Sequence, residues 1–245
     1  MNSHAGKPAQ QLTEYRGPLT PSQVAEGMNA AGRNARRLAA DAQILLEAGR
    51  FPTAAAIAAL SIEESGKPSI LRGLALTTNA EAHKMYWKQY RDHRSKNGAW
   101  ILPDLVRAGA RHLRDLESVV DRDGEHTAML NALKQIGFYT DCYGNIHWSN
   151  PDKIFNDKNA ALAKSLVKTA ELLAPKGEIT TREIELWVQH MKPSWGTSEI
   201  PHALMRFSEA MYREGLSKIS PEEYARFVFG QFESSGWKTE SPKKQ

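Results

Sequence analysis

Small and apolar residues recur every three or four positions through most of this chain, and that period constrains its fold more than any other feature. Val24, Met28, Ala31, Ala35, Leu38, Ala42 and Leu45 make one such seam, and on a helix they share a face. Thr20 is a favoured N-cap type, Pro21 a favoured first helical residue and Gly49 a favoured stop, so a helix over about 20–48 is predicted. Further helices follow from the same period over about 54–66, 79–96, 103–120 and 125–136, with a stretch over 68–76 continuing the second helix after a kink at Pro68. Residues 137–153, rich in aromatics and turn formers, read as a joint. Beyond it, helices are predicted over about 157–173, 180–190, 198–214 and 220–232, the last opened by Ser220 as N-cap with Glu223 three residues on. No run alternates with a period of two. The fold class is therefore all-α: an up-and-down bundle of four or five helices over 20–150, then a smaller helical region over 151–236, with disordered tails at 1–19 and 237–245.

The 245 residues are 41% hydrophobic, enough for a core, and the longest apolar stretch, about residues 53–62, is too short to span a bilayer. The first residues carry no apolar segment of the secretory kind. The one cysteine, Cys142, allows no internal disulfide and reads as a half-buried thiol. These features predict a cytoplasmic protein with no membrane contact. A net charge of +4 does not by itself indicate nucleic acid. Its distribution is more informative: between His83 and Lys96 there are five Lys/Arg and two His against Asp92 alone, interleaved with Tyr86, Trp87 and Tyr90. No glycine-rich phosphate loop, zinc-type His or Cys spacing, or Gly-x-Ser-x-Gly turn is present, so no metal and no cofactor is expected.

The candidate site comes from charges that fall on helix faces. Ile57, Leu60, Ser61 and Glu64 are spaced by three and four, so Glu64 is expected to point inward. A buried carboxylate needs a cation or several donors. Glu63, a third of a turn away, is expected outside, paired with Lys67. In the next predicted helix His93 and Lys96 share a face, and Lys84, Lys88 and Arg91 form a separate line. An acid, an imidazole and an ammonium from adjacent helices would make a costly internal cluster, and function is one reason to keep one. Asn34 and Asp41 lie beside the first seam. Tyr139 and Asp141 either close the joint or reach the same cluster.

In their order and spacing, Asp41 with "EAGR", Glu63-Glu64-Ser65-Gly66-Lys67, His93-x-x-Lys96 and Tyr139-x-Asp141 resemble the AbiV-type abortive infection proteins, a family of the HEPN group of helical domains. The resemblance covers about residues 22–150. It implies a HEPN bundle, a homodimer and a role in bacterial defence against phage. Many HEPN domains are metal-independent ribonucleases with an Arg, a short spacer and a His at the active site. That spacing occurs once here, as Arg107 and His112, expected on a mid-bundle helix with His112 inward. The favoured catalytic set remains Glu64, Lys67, His93 and Lys96, with Asn34, Asp41, Glu63, Tyr139 and Asp141 supporting and Lys84, Lys88 and Arg91 guiding RNA. Two functions from different classes follow: an effector that cleaves or blocks RNA, and a non-catalytic module that binds a phage protein or a toxin partner.

Overall fold

The computed structural model describes residues 13–121, 124–156 and 160–230. Ten α-helices are described: α1 (Pro21–Glu47), α2 (Phe51–Ala75), α3 (Ala80–Arg91), α4 (Leu102–Arg107), α5 (Glu125–Phe138), α6 (Pro151–Ile154), α7 (Ala160–Leu173), α8 (Thr181–Met191), α9 (Ile200–Arg213) and α10 (Pro221–Phe229). Among the described residues the fold is all-α but for one two-residue antiparallel ribbon, β1 (Cys142–Tyr143) with β2 (His147–Trp148).

α1 begins as its sequence demands. The Thr20 hydroxyl accepts from the Gln23 amide and the Gln23 side chain accepts from the Thr20 amide, so two orphan donors are satisfied reciprocally. Gly49 ends it at φ 71°, in the left-handed region that favours glycine, and the chain turns directly into α2. There is no break at Pro68: α2 runs through it to Ala75. The hydroxyls of Ser65 and Ser69 donate to the carbonyls of Ser61 and Gly66. Packing of α1, α3, α5 and α7 around α2 outweighs a proline cost of about 3 kcal/mol.

α2 is thus the central helix. Its alanines 54, 55, 58 and 59, with Ile62, meet Ala39 and Ala42 of α1, Leu130 of α5, Phe155, and Ala163, Leu166, Val167 and Ala170 of α7 in one buried cluster. The sequence boundary at 150 therefore does not separate two cores, because α7 completes the bundle. A smaller region, α8–α10, follows, built around Met191 and Ala203 with Leu76, and around Met205, Ala225 and Val228. It is fastened back to the bundle: Asn29 exchanges two hydrogen bonds with Ile179, at 2.7 and 2.8 Å, and the Trp187 indole donates to the Arg72 carbonyl.

Two predicted helices are shorter than their periodicity suggested. The helix expected to reach Lys96 stops at Arg91, because Asp92 turns extended and its Oδ2 accepts from both the amide and the hydroxyl of Ser95, each at 2.8 Å. A single 3-10 turn over Arg94–Lys96 follows. The helix expected over 103–120 is broken at Gly109, φ 105°, and resumes as a 3-10 helix over Leu113–Val120. The expected tail at 1–19 is ordered from residue 13 on: the Trp87 indole donates to the Gly17 carbonyl, Arg91 to the Tyr15 carbonyl, and Tyr15 stands edge-on to Trp87. Residues 1–12 and the expected 237–245 tail lie outside the described residues. Cys142 is exposed, not half-buried, since its ribbon has no covering layer. Among the described residues no helix is long and apolar enough to cross a membrane.

Candidate functional site

The centre of the candidate site is Glu63, not Glu64. On α2 the buried line is Ala56, Ala59, Glu63, Gly66 and Ile70, while Ile57, Leu60, Glu64 and Lys67 are only half-buried. The sequence reading chose the line with the bulkier apolar residues. Alanine hides the truth here, because a small residue marks the face against which neighbours approach closest. Glu64 instead pairs with Lys67 at 2.6 Å, and the Lys67 ammonium lies 5.2 Å from the centre of the Tyr90 ring. Glu64 and Lys67 form a half-buried i,i+3 pair beside the site.

Two lysines and a histidine converge on Glu63, whose side chain is 4% exposed. Lys134 of α5 donates to Oε1 at 2.6 Å, His93 Nδ1 lies 2.7 Å from Oε2, and the Lys96 ammonium lies 3.9 Å from Oε2. His93 and Lys96 thus reach a common carboxylate, but it is Glu63 rather than the expected Glu64, and they come from the turn after α3 rather than from a helical face. The seat for that turn is Gly66, one helical turn after Glu63. A Cβ there would collide with the carbonyl oxygen of Lys96. A side chain at position 66 would hold the turn, and with it the imidazole, away from α2.

Lys134 was missed by the sequence reading. Its signal was present: Thr127, Leu130, Lys134 and Gly137 recur by three and four, and all four are buried, so Lys134 continues an inward stripe.

The electrostatics are asymmetric. Lys134 and Lys96 are almost wholly buried, whereas the His93 side chain is 56% exposed. Burial pushes the Lys96 ammonium below its ordinary pKa, with Glu63 pulling the other way and Lys67 adding to the fall. Glu63, held by two lysines, is an acceptor, so the 2.7 Å contact assigns the proton to His93 Nδ1. The Lys134 ammonium, 3.2 Å from that nitrogen, competes for it less closely. Nε2 is then left as the basic nitrogen. An imidazole aligned by a carboxylate through one nitrogen and free at the other is the arrangement of a general base. Asp92, the preceding residue, is tied to Ser95. Although burial works against its charge, the Ser95 hydroxyl and amide hold its carboxyl below the usual range.

The remaining expected residues lie elsewhere. Arg107 is exposed and pairs with Asp104, and His112 caps the 3-10 helix while its Nδ1 meets the Arg226 carbonyl. They share no helix because Gly109 separates them. Asn34 and Asp41 both bind Arg37 on the outside of α1, at 3.0 and 2.8 Å. Tyr139 is exposed, and Asp141 accepts from the Cys142 amide and takes part in two bonds with Ser149, so this pair closes the joint and does not reach the cluster. Lys84 and Lys88 are exposed on α3 as expected. Arg91 is engaged: it binds Glu14, the Tyr15 and Trp87 carbonyls, and the Trp87 ring at 5.1 Å. Among the described residues no group of three His, Cys, Asp or Glu is placed to hold a metal ion.

An all-α bundle closed on a polar cluster between its second helix and the segment after its third fits the HEPN class. The AbiV-type HEPN family model matches residues 23–175, more than half of the chain and ending just beyond α7. The chain belongs to the AbiV family of HEPN-type abortive infection proteins. No curated protein and no solved structure matches it.

Proposed function

We propose that this chain is an anti-phage effector that acts in the cytoplasm as a metal-independent endoribonuclease, with His93 as its proton-transfer group. The observation that carries this reading is an exposed imidazole fixed by a buried carboxylate. Nε2 takes the proton of a ribose 2′-hydroxyl. The 2′-oxygen bonds to the adjacent phosphorus, and the bond from phosphorus to the 5′-oxygen breaks. The 5′-oxygen takes a proton from the imidazolium so formed, leaving a 2′,3′-cyclic phosphate and a 5′-hydroxyl end. Lys96, Lys134 and Glu63 together leave one positive charge in excess beneath the ring, which favours the charge developing on the phosphoryl oxygens. Lys84 and Lys88 supply phosphate contacts along α3.

The test is purified protein with total RNA in EDTA. Cleavage giving cyclic-phosphate ends is expected, with a loss of about a hundredfold or more in His93→Ala. Absence of cleavage by the intact protein, under conditions where it binds RNA, would reject the reading.

A second reading is a non-catalytic module that docks a phage protein or a toxin partner, with the cluster as a lock joining α2, α5 and the turn after α3. The burial of Lys96 and Lys134 favours it. It is preferred if one stoichiometric phage protein is captured equally by the intact chain and by His93→Ala.

A further inference from the structure

Among the described residues five buried side-chain atoms have no hydrogen-bond partner: Arg72 Nε, Gln89 Oε1, Asn97 Oδ1, His126 Nε2 and Asn131 Oδ1. Only the first belongs to a permanently charged group, and buried charges ordinarily carry partners. The Arg72 guanidinium makes no hydrogen bond and no ion pair to any described residue; what it meets is the Trp187 ring, 5.5 Å away. Arg36, Arg91 and Arg206, the other half-buried arginines described, all donate hydrogen bonds. Arg72 lies in the last turn of α2, where the helix dipole favours a cation. The dipole accounts for a charge there but leaves its donors unmet.

Two titratable groups from other helices lie near it. Burial pulls the Arg72 guanidinium below its ordinary pKa, while Glu183 of α8 and Tyr224 of α10 oppose that fall. Tyr224 is half-buried, and its hydroxyl has no hydrogen bond among the described residues. Glu183 is committed elsewhere: its Oε2 accepts from the Thr180 amide at 2.6 Å, in the capping box that opens α8. Trp187 adds an apolar wall, edge-on to Trp195 and to Phe207. With Nε enclosed and the residue as a whole half-buried, the Nη end of the guanidinium is the open side. One cation and one hydroxyl donor therefore stand unmet beside an acid. A doubly charged phosphate would meet Glu183 with no second cation to offset it. A carboxylate carries one charge, and its two oxygens fit a guanidinium fork.

We infer that Arg72 and Tyr224 bind a carboxylate at the seam between the bundle and α8–α10, with the apolar body that carries it against Trp187 and Trp195. The same chemistry is available from a free small acid and from the C-terminus of a peptide. The site shares no residue with the Glu63 cluster, so it stands whether or not His93 cleaves RNA.

The experiment is proton–nitrogen NMR of the full chain, following the Arg72 Nε–H and Trp187 indole signals. The probes, at equal ionic strength, are benzoate, a tripeptide ending in phenylalanine, the same tripeptide with an amidated end, and phosphate. Saturable shifts of both signals are expected with benzoate, the peptide acid or both, and none with the amide or phosphate. Binding of benzoate identifies a free acid as the source, and binding of the peptide acid alone identifies a chain terminus. Arg72→Met is expected to abolish the response of the Trp187 indole, and Tyr224→Phe to weaken binding about tenfold. No saturable shift with either carboxylate, which would leave water alone on the guanidinium, overturns the inference, as does an equal response to phosphate. Binding that survives Arg72→Met also overturns it; should that variant not fold, binding unchanged in Tyr224→Phe does so.

Discussion

At the scale of single residues, the cluster sorts its two lysines into different roles. Lys134 makes a 2.6 Å ion pair with a nearly buried carboxylate. Replacing it by methionine strips Glu63 of its closest cation, and breaking a buried pair of this kind costs about 3–5 kcal/mol. Lys96 is different. It is buried, its distance to Glu63 is 3.9 Å, and burial lowers its pKa. A base whose folded pKa lies below its unfolded value opposes folding at neutral pH, where it is charged in both states. The opposition fades as pH rises through the folded pKa and is gone above the unfolded value of about 10.4. Lys96→Met is therefore expected to be neutral or stabilising at pH 7, with its advantage shrinking toward pH 10, whereas Lys134→Met lowers stability clearly at pH 7. Denaturant unfolding of the two variants at both pH values reads the contrast, and equal losses at neutral pH would contradict it.

At the scale of elements, Gly66 positions the imidazole. Gly66→Ala adds one methyl group against the Lys96 carbonyl and should cost about 1–3 kcal/mol by overpacking. Displacing the turn over Arg94–Lys96 should also lower RNA cleavage at temperatures where the variant remains folded. Retained activity with a normal melting temperature would show that the turn is not seated by this contact. The same helix explains what was legible in the sequence. The caps Thr20 and Ser220 and the stop at Gly49 are local chemistry: the first helix lies within a residue of expectation at both ends, and the last begins directly after Ser220 as expected. His93 and Lys96 were expected beside Glu64 and lie beside Glu63; that they face α2 follows from the polar end of an aromatic-rich helix, which is visible in spacing alone. Which glutamate they meet was not legible. α2 is surrounded by α1, α3, α5 and α7, so burial runs round most of it and periodicity no longer selects a face. The breaks at Asp92 and Gly109 were hidden because the apolar period continues through Gly109 and the polar run around Asp92 is compatible with a helix, while Asp92's bonds to Ser95 and the positive φ of Gly109 decide the path.

At the scale of the molecule, α7 joins the same core as α1, α2 and α5, and the match to the AbiV family ends at residue 175, where the smaller helical region begins. That region is tied to the bundle through Asn29 of α1 and through Trp187 on Arg72 of α2, the helix that also carries Glu63. The fold buries one carboxylate and two lysines under one exposed imidazole. Nitrogen-15 NMR of the His93 ring in the intact protein tests that arrangement most directly. A neutral ring carrying its proton on Nδ1, and losing that preference in Glu63→Gln, is expected. A proton on Nε2, with Nδ1 accepting from Lys134, would contradict the assignment of His93 as the site's base.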